Sequence, residues 1–179
     1  MKKVILLFSG GRDSTLLLKI AKNLGYELHC VLFDYAQTHS QELEFAKQQC
    51  QKEQVSFDLI TLSLPIQSNL LSQEQTYEGV SEYHVPSRNA IFTTIASGIA
   101  ETKGYDTIWI GANYEDREDL FPDCYQEWIF QMNKLLQING STEIRIEAPL
   151  LGMSSKIITD ISENLYNIKQ KQIFSGYGK

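Results

Sequence analysis

Cysteine is scarce in this chain. The three present, Cys30, Cys50 and Cys124, are odd in number, far apart and form no CxxC pair. That pattern argues against a disulfide framework, encodes no structural zinc site and fits a reducing, cytoplasmic setting. Long apolar runs are missing too. Val4–Phe8 is a run of five that Ser9-Gly10-Gly11 cuts off, which suits a buried strand and not a secretory core or a membrane span of roughly 20 residues. Positive charge is in deficit: 16 Lys and Arg against 22 Asp and Glu leave a formal charge of −6. An acidic surface without a basic run does not draw nucleic-acid phosphates, so neither a nucleic-acid nor a membrane partner is expected. Internal repeats and linkers are absent as well.

What is present is an ordinary globular balance. Of 179 residues, 42% are apolar and 21% charged, enough for a real core in a single domain spanning residues 1–179. Apolar runs alternate with amphipathic stretches. Strands are expected at Val4–Phe8, Glu27–Phe33, Ser56–Leu62, Asp106–Gly111 and Ile144–Ala148. Helices are expected at Ser14–Leu24 with Gly25 as its stop, Ser40–Glu53, Pro86 to about Lys103, Asp123–Leu136 and Ser154–Asn164. Residues 63–85, rich in Ser, Gln and Glu, break the rhythm and read as a lid or a mobile loop. Strand–helix alternation of this kind predicts an α/β fold, a mainly parallel five-stranded sheet with helices on both faces. Ligands then sit beyond the carboxyl ends of the strands. Three of the loops at that rim are Ser9–Asp13, Asp34–His39 and Ala112–Asp123.

The first of these carries the clearest chemistry. Val4-Ile5-Leu6-Leu7-Phe8-Ser9-Gly10-Gly11-Arg12-Asp13-Ser14-Thr15 is a strand, a tight turn and a helix start. Gly10 and Gly11 permit positive φ and close backbone approach. Their N–H groups, with those of Asp13 and Ser14, can form an anion nest to which Ser9 and Ser14 add hydroxyls. Asp13 would repel a bare phosphate, so its natural task is to hold a magnesium ion that bridges phosphates. The plainer alternative is that Asp13 or Ser14 caps the helix. The turn is neither GxxxxGK[ST] nor GxGxxG. It resembles the SGGxDS motif of the PP-loop ATP pyrophosphatases, whose fold is Rossmann-like (adenine nucleotide alpha hydrolase-like).

Further segments resemble one family within that group, the 7-cyano-7-deazaguanine synthases. They are Phe8–Thr15, Phe33-Asp34-Tyr35-Ala36-Gln37-Thr38-His39, Val85-Pro86-Ser87-Arg88-Asn89-Ala90-Ile91-Phe92, Ile110-Gly111-Ala112-Asn113, Phe121-Pro122-Asp123-Cys124 and Ala148-Pro149-Leu150. The resemblance implies that ATP activates 7-carboxy-7-deazaguanine by adenylation. Ammonia then gives an amide, which is dehydrated to the nitrile. It places ATP on Phe8, Ser9, Gly10, Gly11, Arg12, Asp13, Ser14, Thr15, Phe33, Asp34, Arg88 and Asn89, with Arg88 as a phosphate clamp or, more plainly, a surface salt bridge. Tyr35, Gln37, His39, Asn113, Tyr114 and Asp123 become candidates for the deazapurine, and Asp13, Arg88 and Asp123 for catalysis. His39 either meets the substrate or phosphate, with a base role open, or caps the following helix. His84 reads as a loop residue, and Cys124 as a small, partly buried residue and not a nucleophile.

Arg12 stands where the motif usually has an apolar residue. Relatives in the family close with a four-cysteine zinc site. Gly176 stands where the first of those cysteines would be, so zinc is not expected. A homodimer is expected from the resemblance, with Trp128 and Phe130 serving as core or interface.

Overall fold

The computed structural model describes residues 1–36, 40–64, 85–114, 121–141 and 143–168. Five strands alternate with helices: β1 (Lys3–Leu7), α1 (Arg12–Asn23), β2 (Glu27–Asp34), α2 (Ser40–Glu53), β3 (Ser56–Thr61), α3 (Arg88–Lys103), β4 (Thr107–Trp109), α4 (Gln126–Ile138), β5 (Arg145–Glu147) and α5 (Ser155–Asn164). The strands form one parallel sheet in the order β3-β2-β1-β4-β5. The chain first steps outward from β1 to β3, then returns to the other side of β1 to lay down β4. Strand order therefore reverses at β1, and the crevice beyond its carboxyl end, between β1 and β4, is where such sheets hold ligands.

The central strand explains the core. Val4, Ile5 and Leu6 have no exposed surface, because a parallel strand flanked by helices is covered on both faces and needs no polar side. Val4 and Leu6 pack with Leu16, Leu17 and Leu18 of α1, Ala46 and Cys50 of α2 and Ile158 of α5. Ile5 points the other way, into Phe92, Ala96 and Ala100 of α3 and Ile129, Met132 and Leu136 of α4. Period-two alternation along β1 thus sorts the helices into two layers. Burial of each such aliphatic side chain contributes about 1.5–3 kcal/mol.

Element bounds follow the sequence closely, with two informative departures. The helix expected from Ser14 begins at Arg12, capped by Gly11. The helix expected from Asp123 is divided: Pro122–Cys124 form a 3-10 turn, Tyr125 is extended (φ −100, ψ 147), and α4 starts only at Gln126. An extended residue cannot continue the helix, so Asp123 belongs to the turn and not to α4. At the other end of α1, Gly25 takes φ 69 and ends the helix as expected.

Charged contacts tie neighbouring elements together. Glu53 at the end of α2 receives Lys19 at 2.6 Å and Lys22 at 3.1 Å from α1. Burial alone would raise its proton affinity, but the hydrogen bonds and charges of the two lysines outweigh that and hold the carboxyl below the ordinary glutamate range. On β2, His29 Nδ1 lies 2.8 Å from Ser56 Oγ. Its Nε2 sits 3.1 Å from Asp58 Oδ2, close but off the line of a good hydrogen bond. Cys30 and Cys50 are both buried and unbridged, and burial beside Cys50 pushes the Cys30 thiol well up.

The depressed Glu53 pKa makes a signed expectation. Its stabilisation is fully present above the unfolded value of about 4.3 and is lost as pH falls through the lower folded value. Glu53→Gln is expected to cost about 1 kcal/mol at neutral pH, since both lysines are partly exposed and screened. Between about pH 5 and pH 3 its melting temperature should fall less steeply than that of the parent chain, as read by thermal unfolding.

Candidate functional site

At the end of β1 the chain must turn sharply to enter α1, and the turn is built by contact. Gly10 takes φ +80, and a Cβ there would sit 3.1 Å from Ala46 Cβ and 3.2 Å from the Ala46 backbone. Both conformation and space demand glycine at this position. Gly11 does not use that freedom. It is extended, at φ −70 and ψ 170, so of the two glycines read as positive-φ positions only Gly10 is one.

Hydroxyls close the turn. Ser9 Oγ accepts from the Gly11 N–H at 3.2 Å and lies 3.1 Å from Ser14 Oγ. Ser14 Oγ donates to the Gly11 carbonyl at 3.1 Å, so Ser9 is the donor between the two hydroxyls. Thr15 Oγ1 reaches the Gly10 carbonyl at 3.4 Å. The side chain of Phe8 is buried in the core, so what Phe8 brings to the turn is its backbone. No side chain caps α1. The capping alternative for Asp13 or Ser14 is therefore not what these residues do. The first-turn N–H groups lack intrahelical partners, as at any helix start.

Asp13 is held on both oxygens. Asn113 Nδ2 donates to Oδ2 at 2.6 Å, and Arg12 Nε to Oδ1 at 2.9 Å. Asn113 follows β4 and is buried. The loop passes close to α1 at Gly111, where a Cβ would come into ordinary contact with the Ser14 nitrogen at 3.4 Å. Arg12 reaches further, with Nη1 donating to Thr159 Oγ1 at 3.2 Å and Nη2 to Ser155 Oγ at 3.1 Å. The Tyr114 N–H donates to the Met153 carbonyl at 3.1 Å. Three segments distant in sequence, the turn after β1, the loop after β4 and the start of α5, thus meet around one carboxylate.

A second group lies beyond β2. Phe33 is buried and stacks on Phe92, ring centroids 3.9 Å apart and planes at 3°. Tyr35 meets Phe92 at 5.3 Å and accepts from Arg88 Nη1 at 3.3 Å, with the guanidinium 5.9 Å from its ring centre. Asp34 Oδ1 accepts from the Ala36 N–H at 3.2 Å. Ala36 and Ser87 both take φ 59, a region where side chains are costly. Strain of this kind, on both sides of the Arg88–Tyr35 contact, persists only where the surroundings enforce it. Asn89 is half-buried in the first turn of α3.

Other expectations fare variously. Asp123 is buried, and the Cys124 thiol donates to its Oδ1 at 3.8 Å. Cys124 is itself buried, as a small packing residue would be. Tyr114 is exposed. Trp128 packs half-buried against the core while Phe130 is exposed. Gln37, His39 and His84, and the stretch 65–84, lie outside the described residues. Sequence reasoning missed Ser155 and Thr159 as anchors of Arg12, Phe92 as the stacking partner of Phe33, and the duty of Asn113 toward Asp13. A guanidinium in a slot that is usually apolar was the one available signal for the first of these.

Known proteins match the chain along its length. The family model described as queuosine biosynthesis protein QueC matches residues 3–179. A 7-cyano-7-deazaguanine synthase from Oceanobacillus iheyensis is 37% identical over 165 residues, 86% of this chain and 74% of that protein. One from Methanocaldococcus jannaschii is 34% identical over 91% of this chain and 77% of its own length. Among solved structures, a predicted subunit of tRNA methyltransferase from Methanocaldococcus jannaschii has a TM-score of 0.62 at 23% identity, covering 91% of this chain and 75% of the other. NH3-dependent NAD synthetase from Campylobacter jejuni has a TM-score of 0.59 at 16% identity, covering 99% and 69%. At those identities the structural matches establish a shared fold.

Packing at the turn sets a paired expectation. Gly10→Ala should destabilise by about 1–3 kcal/mol, because it adds left-handed strain to a clash with Ala46 backbone. Gly98→Ala in α3, where a Cβ meets nothing within 4 Å, should instead stabilise by about 0.5–1 kcal/mol. Denaturant unfolding of the two variants checks both signs.

Proposed function

The chain belongs to the family of queuosine biosynthesis protein QueC, and from that membership we propose that it makes 7-cyano-7-deazaguanine from 7-carboxy-7-deazaguanine, ammonia and ATP. The observation that carries the proposal is the Asp13 carboxylate fixed by Arg12 and Asn113 beside an uncapped helix N-terminus at the sheet's reversal point. A carboxylate oxygen is a poor leaving group. Attack of that oxygen on the α-phosphorus of ATP expels pyrophosphate and turns the acid into an acyl adenylate. Ammonia then displaces AMP to give the amide. A second adenylation, now on the amide oxygen, lets AMP leave as protons are lost and the nitrile forms.

In this scheme the N–H groups at the start of α1 and the Ser9 and Ser14 hydroxyls receive phosphate oxygens. Arg88 is the cationic counterpart on the β2 side, stabilising negative charge that grows as pyrophosphate departs. Tyr35 orients its guanidinium. Phe33 and Asp34 lie at the β2 rim toward the adenine, while Asp123, Tyr114 and the neighbouring loops serve the deazapurine. With Asn113 engaged on Asp13, its contribution to substrate is best cast as indirect.

Magnesium fits the donors present. Each Asp13 oxygen accepts one hydrogen bond and retains a second lone pair. Among the described residues no three His, Cys, Asp or Glu side chains are grouped around a metal, so a magnesium ion at Asp13 would draw its other ligands from phosphate and water, as that ion prefers. Bound there, it would neutralise charge shared between phosphates. Family likeness also favours a homodimer, for which exposed Phe130, Leu135 and Ile138 of α4 offer apolar surface.

Incubation with ATP, magnesium, ammonium and 7-carboxy-7-deazaguanine, followed by mass spectrometry, tests the proposal. The nitrile and an acid-dependent release of AMP are expected. Arg88→Ala should lower kcat by about 10²–10³-fold. A folded, magnesium-supplied protein that turns over no ATP in response to the acid would overturn the proposal, and a reaction halting at the amide would reassign the chain as an amide ligase.

A further inference from the structure

Arg12 is placed in a way that its neighbours do not require for folding alone. Its guanidinium stands at the first residue of α1 and donates to Ser155 and Thr159, the first and fifth residues of α5. Two helix N-termini therefore converge on one cation. Each carries roughly half a positive charge, so a guanidinium is electrostatically out of place there unless an anion shares the position. Asp13 is that anion, at 2.9 Å. Without Arg12, the Asp13 carboxylate would keep only Asn113 as donor, and the magnesium ion proposed above would alone offset its charge toward an incoming triphosphate. With it, the local sum of helix ends, cation and carboxylate stays positive.

We propose that Arg12 is a positioning residue for nucleotide binding. It neutralises Asp13, locks that carboxylate against Asn113, and fastens the phosphate turn to α5. Each guanidinium nitrogen donates to a protein partner, Nε to Asp13 and the two Nη atoms to Thr159 and Ser155, so the group is held in place through Asp13 and α5. This role rests on the ATP-site assignment made above. It distinguishes this chain's turn from one with an apolar side chain at the same place, which has no means of offsetting the carboxylate from the α1 side.

A double-mutant cycle tests the coupling. The affinity for a non-hydrolysable ATP analogue is measured by calorimetry, at one fixed magnesium concentration, for the parent, Arg12→Ala, Asp13→Asn and the double variant. Arg12→Ala is expected to weaken binding about tenfold when Asp13 is present and less than about twofold when residue 13 carries no charge. Arg12→Lys keeps charge but not the three-way fork, and should fall between parent and Arg12→Ala. Should Arg12→Ala not fold, Arg12→Gln, which is neutral and shorter but keeps an aliphatic stem and an amide donor, takes its place in the same cycle. Equal losses in both backgrounds would mean that Arg12 merely docks α5, and would overturn the inference while leaving the ATP site standing. A parent protein that binds no analogue at all would overturn the ATP-site assignment and this inference with it.

Discussion

One carboxylate, that of Asp13, is gripped from two sides: Asn113 takes one oxygen and Arg12 the other. A carboxylate with neither restraint would swing among rotamers, and with both it is pinned in direction and its charge is partly offset. Each restraint also recruits a distant segment. Asn113 brings the loop after β4, and Arg12 brings the start of α5. A single ionised side chain thereby dictates where three parts of the chain must meet.

That meeting is possible only because of the strand order. β1 lies between β2 and β4, so the turn leaving β1 has the β2 loop on one side and the β4 loop on the other. Gly10 makes one approach close enough, letting α2 press against the turn, and the Asn113–Asp13 hydrogen bond draws in the β4 loop. Two layers of core, one carried by Val4 and Leu6 and one by Ile5, hold β1 rigid beneath them. Core and site thus follow one another along the chain, strand and then turn, and strain introduced at Gly10 is transmitted directly into packing against α2.

Much of this was legible before any coordinates. Strand–helix alternation, the apolar run of β1 and the sharp Ser9–Ser14 turn into α1 define the fold because they are local signals, written within a dozen residues. Stops such as Gly25 were equally plain. What escaped were contacts between residues far apart in sequence. Nothing local tells Asn113 to serve Asp13 rather than a ring, or assigns Ser155 and Thr159 to Arg12 across more than 140 positions. The start of α4 was misplaced for a related reason. Its periodicity runs back through Asp123, and only the extended backbone of Tyr125 breaks it. Gly11 was read as conformationally special when only its neighbour is, since composition marks a glycine but not its φ.

The β2 side of the site obeys a different logic from the β1 side. Around Asp13 the geometry is held by charge and by close-packed glycine. Around Arg88 it is held by aromatic surface, with Phe92 stacked on Phe33 and tilted against Tyr35, while Ala36 and Ser87 sit in a left-handed conformation that neither side chain favours. Such strain costs of order 1 kcal/mol or more at each residue, and it is sustainable because the aromatic cluster is anchored in the same buried layer as Ile5 and Ile108. The β1 half is therefore rigid through short polar contacts and close packing. The strained half carries the Arg88 guanidinium on Tyr35, so the position of that cation depends on aromatic packing that compensates an unfavourable backbone.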